Sequence, residues 1–292
     1  MTAASDLNLA EEANLQQKQH GQNLDRFLMN IGLSLLFLGA LVAAGFVFTP
    51  YAPNAPDFLN RLSPPSSEHW FGTDQLGRDV ATRLLFGGFW SVGLAFLITF
   101  IGAVLGTVVG LAAGHFGRFT DVTLMRVTDS FFAFPELVAA VTIAGVLGPS
   151  TNNMVLALIL VGWMKFARLV RGLSIDLAHR DFITQAKLND LPSWLILWRH
   201  ILPNIGPSLL VLWTNAWSRS VLSISGLSFL GFGVQPPNAE WGAMLLNGKA
   251  YMQTAPHLMI FPGLAILVTV LTINLTGDQL RDLVGSRGTI SE

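Results

Sequence analysis

The sequence predicts an all-α integral membrane protein with six transmembrane helices, and three observations carry that expectation. Hydrophobic residues make up 51% of the 292 and charged residues only 12%, with a mean hydropathy of +0.52; that charged share is about half that of a soluble domain. Apolar runs of ~20 residues recur along the chain, and at ~1.5 Å per residue each can cross a hydrocarbon layer. Lys and Arg fall unevenly on the two sides of those runs, which sets an orientation. Composition also excludes some chemistry. With no Cys there is no disulfide, thiol catalysis or cysteine metal site. A net charge of −1 without any basic run offers nothing to nucleic acid.

Taken in order, residues 1–26 are polar and rich in Gln, Asn and Glu, and no cleavage site follows an apolar core. They read as a loosely ordered cytoplasmic tail, not a secretory signal. Residues 27–48 contain no charge and close at Thr49-Pro50, so they are expected to form the first span, an uncleaved signal anchor. The extracytoplasmic loop 49–88 opens with Pro50, Pro53, Pro56, Pro64 and Pro65. Gly72-Thr73-Asp74 reads as a tight turn. After it, Asp79 to Phe86 reads as an amphipathic helix, with Val80, Leu84 and Leu85 opposing Asp79, Thr82 and Arg83.

Residues 89–276 are read as a core of five helices. In the second span, Phe89 to Ala113, Gly102, Gly106, Gly110 and Gly114 repeat every fourth residue and mark a face for close helix contact. The third span is expected to start near Thr123 and to enclose Asp129, Pro135 and Glu136, because Leu137 to Leu147 alone is too short. Its acids must face a bundle interior, a cavity or the interface, or pair with Arg126, since an ionised carboxylate in lipid is costly. The fourth span, Met154 to Val170, carries Lys165, Arg168 and Arg171 near its end, where such side chains can snorkel.

A polar interruption, Arg180 to Pro207, follows and overlaps the loop 172–205. Its first helix, Asp181 to Asp190, places Phe182, Ile183 and Ala186 on one face and ends before Pro192. A second helix, Ser193 to Ile201, carries Trp194, Leu195, Leu197, Trp198 and Ile201 and is expected to stop at Pro203. The residues leave two readings open: a docking knob for a soluble partner, or an amphipathic connector in the headgroup layer. The fifth span, Gly206 to Phe229, contains Asn215 and Arg219, and the sixth runs from His257 to Leu275 after a second extracytoplasmic loop. A polar tail, 277–292, is expected to be cytoplasmic. With the N-terminus inside, only Arg61, Arg78, Arg83 and Lys249 of the 17 basic residues lie outside, while Arg219 lies within a span.

Catalytic patterns are missing. The six His residues are scattered, and there is no H-E-x-x-H or G-x-S-x-G. Gly242 and Gly248, followed by Lys249, fail as a phosphate loop: five residues separate the glycines and no Ser/Thr follows the Lys.

Four stretches carry a family resemblance: Arg180 to Pro203, FGTDQLGRDVATRL (71–84), MRVTDSFFAFP (125–135), and SGLSFLGFGVQPPNAEWGAML (225–245) with NLTGDQLRD (274–282). Together they resemble the C-type permease subunit of binding-protein-dependent dipeptide, oligopeptide and nickel importers, over nearly everything after Phe27. Two departures stand in the coupling loop. Thr184-Gln185-Ala186 occupies the family's Glu-Ala-Ala, and Asp190 its Gly; Asp is among the few residues that tolerate the left-handed backbone expected at that bend.

The resemblance implies a type I ABC importer permease fold with cytoplasmic coupling helices, and half of a translocation path for short peptides. The alternatives are the same role for nickel or a metal chelate and, more remotely, a channel or an intramembrane enzyme. It implies a homologous second permease, two cytoplasmic ATPases carrying the ATP and Mg, an extracytoplasmic solute-binding protein and membrane lipid as partners. No cofactor is bound by this chain itself. Asp181, Phe182, Ile183, Thr184, Gln185, Ala186, Lys187 and Asp190 would couple to an ATPase. Gly72, Thr73, Asp74, Arg78, Asp79, Glu240 and Trp241 would meet the binding protein, and Glu136, Asn215 and Arg219 would line the path. The setting implied is a bacterial cytoplasmic membrane with both termini inside.

Overall fold

A computed structural model describes residues 51–288; the expected tail 1–26 and first span 27–48 lie outside them. The described residues are helical apart from loops and one isolated bridge between Thr73 and Asp79. Four helical stretches among the described residues are long and apolar enough to cross a membrane, and a bent helix pair makes five if it counts as one span.

Helix α1 (Val80–His115) is apolar on all sides, as befits a helix surrounded by lipid and other helices. It begins nine residues earlier than the second span was expected to, so the amphipathic loop helix and that span are one element. The cause is local: Asp79 caps the N-terminus by accepting the Thr82 amide at 2.7 Å, and nothing interrupts the helix after Gly87-Gly88.

The third span departs further from expectation. Helix α2 (Arg118–Phe132) ends at Ala133, and α3 (Glu136–Leu147) starts after Pro135, with 85° between them. Pro135 therefore breaks the helix, because the residue before a proline is pushed out of the helical region. Asn153 then closes α3 by donating to the Leu147 and Gly148 carbonyls, while Ser150 caps α4 (Thr151–Gly162). Helix α5 (Met164–Leu177) continues that span past Trp163.

The small helices α6 (Asp181–Leu188) and α7 (Ser193–Ile196) follow. A π turn at Leu197–Ile201 then leads straight into α8 (Leu202–Phe229). Pro203 does not end a helix there. It sits in the first turn of α8, beyond the wide turn in which the Leu202 amide reaches back to the Leu197 carbonyl, and a missing N–H costs little at a helix start. A short α9 (Trp241–Gly248) precedes α10 (His257–Gly288). The last helix runs past Leu275, where the polar tail was expected. Gly277 does not stop it because α8 packs there: a Cβ on Gly277 would lie 2.8 Å from Thr214 Oγ1.

The most extensive contact joins α1 to α5, and the glycine stripe explains it. A Cβ at Gly106 would meet the Trp163 carbonyl oxygen at 2.3 Å, and one at Gly110 the Ala167 oxygen at 2.5 Å. Backbone touches backbone, the device by which helices associate in lipid. Around this seam pack α8 on α1 and α10 on α8. Val92, Ala95, Ile98, Ala144, Met154, Leu158, Ile224 and Leu227 lie in the buried core between them. Outward, Phe96, Phe100, Val108, Leu267 and Leu271 are exposed, forming apolar helix surface that lipid or another membrane chain can cover.

Candidate functional site

Three places concentrate the residues singled out by sequence. The first is the connection between α5 and α8. Helix α6 ends in a Schellman arrangement: the Asp190 amide donates to the Lys187 carbonyl at 3.1 Å and the Leu191 amide to Ala186 at 3.2 Å, with Asp190 at φ 53°. The left-handed bend expected at Asp190 is present. Ile183, Ala186, Ile196, Ile201 and Ile205 form a small core with Val170 of α5, which pins α6 to the end of the span. The other coupling residues, Asp181, Phe182, Thr184, Gln185, Lys187 and Asp190, are exposed. Phe182 thus leaves the face it was expected to share with Ile183 and Ala186; eight helical residues bury only a narrow stripe, and Phe182 lies off it near His200. Leu188, Trp194 and Trp198 are also exposed, at 78%, 67% and 70%.

The second place is the bend between α2 and α3. Arg171 holds Asp121 through two contacts, one at 2.7 Å; Arg168 holds Asp129 at 2.6 Å; Lys165 pairs with Glu136. The cations stand at i, i+3 and i+6 on one face of α5, within about 9 Å of helix. The 85° bend brings three acids from two helices onto that short stripe. Arg168 also lies over the Phe132 ring at 3.9 Å. Snorkelling was open to these basic side chains, and pairing with Arg126 was one alternative for the acids; they form an ion-pair ladder with one another, and the bend turns the acids toward α5. The Glu136–Lys165 pair and Arg219 border one cleft, together with Ile98, Leu158, Phe166 and Leu212. Asn215 is not among the cleft residues. Its amide donates to the Val211 carbonyl at 3.0 Å, within reach of α10 at Gly277, where it serves helix packing.

The third place is the set of loops at the Val80 end of α1. Asp74 pairs with Arg78 at 2.7 Å and with Arg83 at 3.4 Å, and Arg83 also donates to the Pro53 carbonyl and to Asn54. Asp79 holds His69 at 3.0 Å. Glu240 caps α9, accepting the Gly242 and Ala243 amides at 2.9 Å and the Ser91 hydroxyl at 3.0 Å. Burial pushes its carboxyl above the ordinary range, and those hydrogen bonds offset part of the shift. Trp241 Nε1 donates to the Leu84 carbonyl at 2.8 Å. Gly72 adopts φ +75°, with no room for a Cβ beside the Ser63 oxygen.

All seven residues expected to meet a binding protein, Gly72, Thr73, Asp74, Arg78, Asp79, Glu240 and Trp241, are buried within the chain. They are the internal fastenings of these loops, and their polar groups are spent on one another and on backbone. The surface of the same loops belongs to Phe58, Leu59, Trp70 and Leu76. No group of three or more His, Asp or Glu among the described residues is placed to hold a metal ion.

Residues 106–288 match the family described as binding-protein-dependent transport system inner membrane component. The chain is 38% identical over 258 residues to a dipeptide transport system permease protein, DppC, of Alkalihalophilus pseudofirmus, covering 85% of this chain and 84% of that protein. It is 42% identical over 257 residues to a glutathione transport system permease protein, GsiD, of Escherichia coli, covering 87% and 85%. The fold is similar to a chain of the MetNI methionine ABC transporter in an inward-facing conformation, at a TM-score of 0.54 and 18% identity, covering 68% of this chain and 95% of that one. Bent helix pair, glycine seam and pinned loop thus sit within a chain matched over most of its length, and it belongs to the family of binding-protein-dependent transport system inner membrane components.

Proposed function

We propose that this chain forms half of the translocation path of an ATP-driven importer for short peptides. It works with a homologous second permease, two cytoplasmic ATPases and an extracytoplasmic binding protein. The observation that carries the reading is the α6 bend: a helix pinned to the end of α5 by Ile183 and Ala186, with the rest of its surface free. An amphipathic connector would lay its apolar side chains in the headgroups. Here the buried pair faces α5, and a mixed face of Asp181, Phe182, Thr184, Gln185 and Lys187 is left for a partner. ATP is hydrolysed on the ATPases, and this chain supplies path and lever.

Peptide as the solute is supported by relatives that carry dipeptide, glutathione and peptide transport in their names. The balance of Lys and Arg supports cytoplasmic termini and a cytoplasmic α6. Contact with the binding protein falls to the exposed side chains around Phe58, Leu59 and Trp70, held up by the buried residues named above.

Purification of the chain from its native membrane in mild detergent tests the reading. Recovery with a second permease and ATPase subunits, whose ATP hydrolysis rises on adding peptide-loaded binding protein, is the expected result. Recovery of the chain alone as a homogeneous oligomer overturns it.

A further inference from the structure

Arg219 lies midway along α8, exposed, in the cleft bordered by Glu136 and Lys165. The acid lining that cleft, Glu136, is already engaged, and so are the acids of the neighbouring ladder. Lys165 holds Glu136, Arg168 holds Asp129 and Arg171 holds Asp121, and among the described residues Arg219 makes no ion pair. The cleft therefore carries two cations against one carboxylate, a net positive charge. Its remaining walls are mostly apolar, with Ile98, Leu158, Phe166 and Leu212 beside the hydroxyls of Thr99 and Ser220. Apolar walls lower the local dielectric and extend the reach of the unbalanced charge. A cation inside a membrane span that has no partner faces water or a solute path, since lipid would not tolerate it. Its guanidinium fork matches a carboxylate with two parallel hydrogen bonds.

We propose that Arg219 is a carboxylate-binding subsite of the translocation path, which takes the C-terminal carboxylate of a short peptide as it passes. The proposal rests on the importer reading above and adds a chemical preference to it: the free acid over its amide. A transient hold suits transport. One guanidinium in a cleft open to water binds weakly enough to release, and the adjacent Glu136–Lys165 pair keeps the net charge at one instead of two.

The test uses the assembled complex in phosphatidylcholine vesicles, treated with the arginine-selective reagent phenylglyoxal. Modification at Arg219 is read by mass of its proteolytic fragment. Tri-alanine titrated to about ten times its dissociation constant should slow that modification roughly tenfold by occupancy, while tri-alanine amide at the same concentration should leave it unchanged. Equal protection by both peptides, protection by neither, or an Arg219 that never reacts would each overturn the subsite. So would an Arg219 shielded only when anionic lipid is added, which would make a headgroup the occupant.

In uptake assays, Arg219→Gln should cut peptide carried per ATP by about tenfold, and Arg219→Lys, which keeps the charge but not the fork, should restore only part of it; unchanged uptake per ATP in Arg219→Gln counts against the subsite. A wild-type complex whose ATP hydrolysis ignores loaded binding protein would reject the importer reading instead. The protection assay needs no ATP and would still report on the subsite.

Discussion

Gly106→Ala is the sharpest test of the architecture, because one methyl group enters a place where backbone already touches backbone. The new Cβ would stand 2.3 Å from the Trp163 carbonyl oxygen, 2.5 Å from Phe166 Cβ and 2.9 Å from the Ala167 amide nitrogen, all short of the 3.4 Å at which ordinary contact begins. None of these is the tip of a flexible side chain, so α1 and α5 must separate by roughly 1 Å, enough to forfeit a quarter to a half of each dispersion contact along the seam. Overpacking of this kind costs about 2 kcal/mol. Gly102→Ala meets its nearest atom at 3.6 Å, and Gly93→Ala meets nothing within 4 Å. Those two should be neutral or gain up to ~1 kcal/mol from the better helix propensity of Ala. Thermal unfolding of the purified protein in mild detergent, followed by tryptophan fluorescence, gives the comparison. Gly106→Ala should lower Tm by roughly 5 °C relative to the two controls. A Gly106→Ala protein as stable as Gly93→Ala would refute the close seam.

Other expectations follow from the same contacts. Glu136→Lys or Lys165→Glu alone puts two like charges together and should each cost about 1 kcal/mol, the pair being partly solvated, whereas the double exchange should recover most of the loss in the same unfolding assay. Asp190→Gly removes the penalty of a left-handed non-glycine residue and should stabilise the loop by about 1 kcal/mol, read as slower proteolysis between α6 and α7. Thr184→Glu adds a carboxylate to an exposed position and should preserve or raise coupled ATP hydrolysis; abolition would mean the loop is misaligned with its family. The Glu240 carboxyl, held above its ordinary value, binds its proton more tightly in the folded state, so stability should fall as pH rises from the ordinary carboxylate range to the raised value. Glu240→Gln should flatten that slope in pH-dependent Tm measurements.

Legibility in the sequence followed the range of the forces involved. The glycine stripe could be read because four residues return nearly to the same helix face, so spacing alone places Gly102 to Gly114 in one seam. Asp190 could be read because the resemblance puts the family's glycine at that bend, and Asp is among the few other residues that tolerate a left-handed backbone. The bend at Pro135 was misread for a lack of length: eleven apolar residues seemed too few for a span, which made enclosing the proline look necessary. With the bend missed, the ladder was invisible, although three cations at i, i+3 and i+6 facing three acids was a pattern open to counting. The binding-protein residues failed for another reason. Asp74, Arg78, Asp79 and Glu240 are polar and lie in loops, which reads as surface, yet each is consumed by internal hydrogen bonds between segments far apart in sequence. Composition cannot tell a polar fastening from a polar surface; only the partner can.

The contacts also order the parts mechanically. Helix α6 is fixed to α5 through Val170, Ile183 and Ala186, so a displacement of α6 by a partner reaches α5 with little slack. From α5 it can travel two ways. The glycine seam joins α5 to α1 through backbone contact, which resists sliding because Gly106, Gly110 and Gly114 each meet a carbonyl oxygen or a Cβ at short range. The ladder joins α5 to α2 and α3 through long side chains, two of whose pairs are partly exposed and the third mostly so, and these can exchange partners at small cost. With a rigid joint on one side and a compliant one on the other, α1 and α5 are expected to move as one body and the 85° corner to absorb the motion. Arg219 and Glu136 border the cleft beside that corner, so a shift of α5 that breaks Lys165 from Glu136 also changes the charge bordering that cleft. A double electron–electron resonance distance between labels on α5 and α3 should therefore change with ATP far more than one between α5 and α1; equal changes in both would mean the glycine seam is not the rigid joint.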